Sequence, residues 1–247
     1  MCFSATASFT SATILIPVGA YCLRAASRKK PNEIPTALVP FFFGIQQLSE
    51  GFVWHGIEHN DNYLIKNGSL VFLFFALSFW PFWFFFTSSI NDPRSKARMI
   101  FAVCAFLSIG WFWFMYRPLI ENAEVDLQVK VINHSLHYSF APIDNLSTFV
   151  KNLLRMLYFL CVAVPLILGP GSLGRGYGIV FAAMTIFAAV VFNYAFISVW
   201  CFFAAIITIY LARYFYKLEP ASKTSDLCSV GCGDESLTRH SSQVHPC

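Results

Sequence analysis

Two overlapping patterns near residue 50 have the residue types and spacing to do chemistry. Gln46, Gln47 and Glu50 set two amides and a carboxylate directly behind an apolar run, and His55, Glu58 and His59 follow as H-x-x-E-H. At about 100° per residue, Gln46 lies about 40° to one side of Glu50 and Gln47 about 60° to the other, so the three share one helix face. Two amides flanking a carboxylate can share its proton or hold a cation; the bland alternative is an interhelical hydrogen-bond cluster. His55 and His59, four apart, also share a face. Two imidazoles at this spacing suit one zinc ion, and Glu58 would activate a metal-bound water. A third protein ligand is then needed, for which Glu121, Glu124, Asp126, His134 and His137 are the candidates.

These residues must be positioned by a membrane-type chain. Of 247 residues, 57% are hydrophobic and 12% charged, with 28 phenylalanines, where a soluble domain carries about 25% charged residues. Seven stretches are long and apolar enough to span a bilayer, at about 8–26, 36–57, 68–89, 97–116, 147–168, 176–192 and 195–213. The last two divide one apolar run at Asn193-Tyr194. The expected fold is therefore all-α, an integral membrane bundle of about seven helices over residues 1–217. An ionised Glu50 inside such a bundle costs about 2.5–3.5 kcal/mol, so its face must point to partners or water.

Basic residues set the expected orientation. Arg24, Arg28, Lys29 and Lys30 gather at the end of span one, Arg94, Lys96 and Arg98 at the turn from span three into span four, Arg175 before span six, and Arg213 and Lys217 at the end of the last span. The positive-inside rule then puts the N-terminus outside and the C-terminus in the cytoplasm. The net charge of +4 reports this topology, and no nucleic-acid motif is present. The expected partner is the lipid bilayer, with a small ligand or metal. Between spans four and five, Val125 to Val131 alternates apolar and polar residues and Leu136 to Phe140 returns, the pattern of a small extracytoplasmic β-hairpin. Residues 218–247 are polar and Ser-rich and read as a disordered cytoplasmic tail.

Cys2 lies just before span one and Trp200-Cys201 in the outer part of the last span. Two thiols on one side make a soft-metal or redox ligand set, a disulfide, or two unrelated cysteines. The candidate metal ligands are thus Cys2, Cys201, His55, His59, His134 and His137, for a transition metal such as zinc or copper.

The opening Met1-Cys2-Phe3-Ser4-Ala5-Thr6-Ala7-Ser8-Phe9 resembles a family of uncharacterised, mostly bacterial, multi-pass membrane proteins that begin MCFSATASF. Phe43-Gly44-Ile45-Gln46-Gln47 with Glu50, Gly51 and Trp54, and Ser198 to Ala205, strengthen the likeness. The resemblance implies an integral protein of the bacterial plasma membrane, with Cys2, Gln46, Gln47, Glu50, Trp54, Trp200 and Cys201 as motif positions. It implies no reaction. H-x-x-E-H falls outside the resembling stretches.

The expected function is a polar, ligand- or metal-binding pocket in the outer half of the bundle around Glu50, lined by Gln46, Gln47, Trp54 and Trp200, in a sensor or redox role. A metal-dependent hydrolase acting on lipid and a proton-coupled carrier of small solutes are the alternatives.

Overall fold

The computed structural model describes residues 4–132, 134–169, 178–180, 182–184, 186–187 and 210–217. Ser4 caps the first helix by accepting from the Ala7 N–H, and α1 runs over Ala5–Lys29. A 3-10 turn, Pro31–Glu33, and a single turn, α2 (Ile34–Ala37), lead into α3 (Val39–His59). Asn60, in the left-handed region at φ 55°, ends α3, and Asp61 immediately caps the next helix by accepting from the N–H groups of Tyr63 and Leu64. This cap is why that helix begins at Asn62 rather than near residue 68, where the apolar run starts.

From Asn62 to Asn91 the chain is one membrane-length helix in three parts: α4 (Asn62–Leu73), a π-helical segment (Phe74–Phe79) and α5 (Trp80–Asn91). Then come α6 (Ser95–Asp126, kinked at Asn122), the strands β1 (Leu127–Ile132) and β2 (Ser135–Phe140), the turn α7 (Ala141–Asp144) and α8 (Thr148–Leu168). The expected hairpin is present. Its strands pair antiparallel from Leu127 with Phe140 to Ile132 with Ser135.

Among the described residues, four helices are long and apolar enough to cross a membrane: Ala5–Lys29, Asn62–Asn91, Ser95–Ala123 and Thr148–Leu168. α3 has the length, at 21 residues, but Gln46, Gln47, Glu50 and His55 dilute it. Most of the two stretches expected as spans six and seven lies outside the described residues. Large apolar side chains on α6 and α8, such as Phe106, Leu107, Phe114 and Phe149, face outward, as a helix against lipid requires.

α3 is gripped between α1 and α4. Glycines allow this: a Cβ on Gly19 would lie 2.5 Å from the Phe41 backbone nitrogen, and one on Gly68 would lie 3.0 Å from the Ser49 carbonyl. Backbones approach this closely only where side chains are minimal. At one end of the molecule Asn91 meets Thr36, Trp83 donates to the Pro35 carbonyl, and the Tyr214 hydroxyl donates to Glu33. The hairpin packs over the other end, with Leu136 against Val53 and Trp54.

Candidate functional site

The face predicted from helical spacing exists. Gln46, Gln47 and Glu50 are all completely buried, and Trp54, one turn further, nearly so. Gln47 donates from Nε2 to Glu50 Oε2 at 3.4 Å. Gln46 accepts at Oε1 from the Trp80 indole N–H at 2.9 Å, which fixes the amide's orientation. Ser49 Oγ, on the same turn, is spent on the Gln46 carbonyl at 2.7 Å.

The π segment presents Trp80 to this face. A π turn inserts one extra residue, and Pro81 behind it lacks the N–H that would serve the carbonyls of Ala76 or Leu77. Two side chains from other helices replace it: the Tyr158 hydroxyl donates to the Ala76 carbonyl at 2.6 Å and Trp111 Nε1 to that of Leu77 at 2.8 Å. Freed backbone groups in lipid need such substitutes. The Trp80 ring then stacks on Phe43 with centroids 3.9 Å apart, so α3 and α5 are locked together below the polar face.

About the half of α3 nearer the hairpin, four buried polar atoms have no hydrogen-bond partner among the described residues: Ser8 Oγ, Trp54 Nε1, Ser69 Oγ and Ser135 Oγ. They come from α1, α3, α4 and β2. The contact of Gly51 with Phe9 sets Ser8 at the depth of Glu50, and the contact of Gly68 with Ser49 and Val53 does the same for Ser69. Trp54 packs with Ala5 and Leu136. An unsatisfied buried donor or acceptor costs about 1–3 kcal/mol, and the elements that carry these four atoms pack about α3.

The remaining candidates divide. His55 and His59 stand exposed on the last turn of α3, and their ligand atoms with that of Glu58 lie within 4.8 Å of one another. His134 is exposed at the hairpin turn at φ 58°, and His137 is half-buried on β2 opposite Lys130; neither belongs to that group. Glu121 is paired with Arg117 at 2.7 Å. Cys2, Trp200 and Cys201 lie outside the described residues, as do the side chains of Glu124 and Asp126. Spacing does not single out Ser8, Ser69 or Trp80: Ser8 is marked by the opening nonamer, and Ser69 only as a serine in an apolar helix.

No curated protein and no solved structure matches the chain. A family model described as Family of unknown function (DUF6629) matches residues 1–225, which takes in α1, the Glu50 face, the hairpin and the helices that wall them. On that match the chain belongs to the family of unknown function DUF6629.

Proposed function

We propose that the protein is a multi-pass protein of the plasma membrane, with seven spans, that binds a small polar ligand or a cation at Glu50 in the outer half of its bundle, in the manner of a sensor. The observation that carries this is the complete burial of Gln46, Gln47 and Glu50 on one face, level with the unpartnered hydroxyls of Ser8 and Ser69. An ionisable group at this depth costs several kcal/mol and is retained where it has work to do. The donors gathered there are carboxylate, amide and hydroxyl oxygens with an indole N–H, which suit a hard cation or a hydrogen-bonding ligand. The orientation, N-terminus outside and C-terminus cytoplasmic, is supported by the side-chain links that gather the Lys30–Glu33 turn, the Arg94 loop and Tyr214 at one end, leaving the hairpin at the other.

The test is ligand content. Detergent-purified wild type is compared with Glu50→Gln and Ser69→Ala by native mass spectrometry and elemental analysis. A bound species carried by wild type, absent from Glu50→Gln and reduced in Ser69→Ala, is the expected result. If all three carry the same species or none, and Glu50→Leu melts higher than wild type, the face is packing alone. Proton uptake in vesicles abolished by Glu50→Gln would instead make the chain a carrier.

A further inference from the structure

We propose that His55, Glu58 and His59 form a binding site for a divalent transition-metal ion of the zinc or copper(II) class, on the exposed last turn of α3. The three ligand atoms, one from each side chain, lie within 4.8 Å of one another. The two imidazole centroids are 4.1 Å apart at an interplanar angle of 39°. Ligand atoms around a tetrahedral ion at about 2.0–2.1 Å sit about 3.3 Å from each other. All three side chains are exposed among the described residues, which leaves them free to rotate toward a shared ion.

A second feature prepares the ligand. His59 Nδ1 lies 3.0 Å from the His55 carbonyl oxygen. A carbonyl only accepts, so Nδ1 carries the proton and Nε2 keeps the lone pair that binds a metal. Metal-ligating histidines are routinely oriented by such a bond from the other ring nitrogen. The turn itself is held rigid. The Asp61 N–H donates to the Gly56 carbonyl at 2.8 Å, closing the left-handed cap at Asn60. Gly56 is pressed against Ile65 with no room for a Cβ.

Two imidazoles and one carboxylate favour zinc, copper or nickel over magnesium or calcium. Three protein ligands leave a coordination position open, and the exposure makes the ion exchangeable. The site is separate from the Glu50 face, whose donors are buried oxygens, and does not rest on that reading.

Full-length protein purified without a histidine tag is titrated with zinc chloride by calorimetry and with copper(II) by electron paramagnetic resonance. Wild type binds zinc at this site, and His55→Ala and His59→Ala each weaken it by at least about tenfold, since losing a ligand costs no less than losing an outer-shell partner. Glu58→Gln weakens it less. Cys228→Ser combined with Cys232→Ser, at the Cys-x3-Cys of the C-terminal segment, leaves it unchanged. The copper spectrum shows coupling to two nitrogens in wild type and one in each histidine variant. Equal zinc affinity in wild type and both histidine variants overturns the proposal, as does a wild-type copper spectrum without nitrogen coupling or zinc binding abolished by the Cys228→Ser and Cys232→Ser changes. Matching elution profiles establish that the variants are folded.

Discussion

Trp80 donates its indole N–H to Gln46 Oε1 at 2.9 Å across 34 residues of sequence, while its ring lies 3.9 Å from that of Phe43, one turn away on α3. One side chain therefore supplies both the apolar floor of the Glu50 face and the polar partner of its first amide. Trp80→Phe keeps the stacking and removes the indole N–H from a buried hydrogen bond, and should lower stability by about 1–3 kcal/mol. Gln46→Leu should then cost less in the Trp80→Phe background than in wild type, because the bond between the two is already gone. Melting temperatures of the two single variants and the double variant in one detergent decide it; losses that simply add would mean the two groups are not coupled.

The bonds from Tyr158 and Trp111 to the carbonyls of Ala76 and Leu77 follow from the N–H that Pro81 lacks. Trp111→Phe should then cost about 0.6–1.7 kcal/mol, the range for interhelical hydrogen bonds in membranes. In a Pro81→Ala background the restored N–H can serve the same carbonyl, and Trp111→Phe should cost measurably less. A double-mutant cycle with no coupling would show that the indole N–H matters for another reason.

The fold was legible where composition or period speaks loudly. Apolar length marked α1, α6 and α8, and Ser147, accepting from Val150, caps α8 where the apolar run begins. Alternation found the hairpin to within two residues, because Leu127 and Val129 on β1 are half-buried while Gln128 and Lys130 between and beyond them are exposed. The shared face of Gln46, Gln47 and Glu50 was legible too, since helical geometry alone determines it. Their partners were not. Trp80 stands in a run from Phe72 to Phe86 so rich in aromatics that nothing local separates it from Trp83. The π segment has no sequence mark beyond Pro81, and the contact that sets Ser69 level with Glu50 depends on how closely Gly68 lets two backbones approach. Distant pairing of this kind is a property of packing, not of pattern.

Glycine substitutions separate the two kinds of helix contact. A Cβ at Gly19 would sit 2.5 Å from the Phe41 nitrogen and 2.6 Å from its Cα, both backbone atoms that cannot yield, whereas nothing lies within 4 Å of one at Gly110. Gly19→Ala should therefore destabilise by about 1–3 kcal/mol through overpacking. Gly110→Ala on α6 should be neutral, or stabilising by up to about 1 kcal/mol from helix propensity. Opposite shifts in melting temperature are expected, and a drop in Gly110→Ala as large as that in Gly19→Ala would mean that the outward face of α6 is covered by something.

At the other end of the bundle, the Arg94 guanidinium grips Asp92, from Nε to Oδ1 at 2.9 Å and from Nη2 to Oδ2 at 2.7 Å, and the same Nη2 reaches the Leu168 carbonyl at 2.8 Å. The loop between α5 and α6 is thereby tied to the end of α8. These hydrogen bonds hold the Asp92 carboxyl below the usual carboxylate range. A depressed folded pKa means the unfolded chain takes up the proton first as pH falls. The contribution is thus fully present above the unfolded value of about 3.9 and is lost as pH drops through the lower folded value. Asp92→Asn should melt below wild type at neutral pH, and the gap should close as pH falls below about 4. The check is a series of thermal melts of both proteins in one acid-stable detergent. A gap that stays constant down through that window would show that the carboxylate's charge contributes nothing and that Asp92 acts only through its backbone turn.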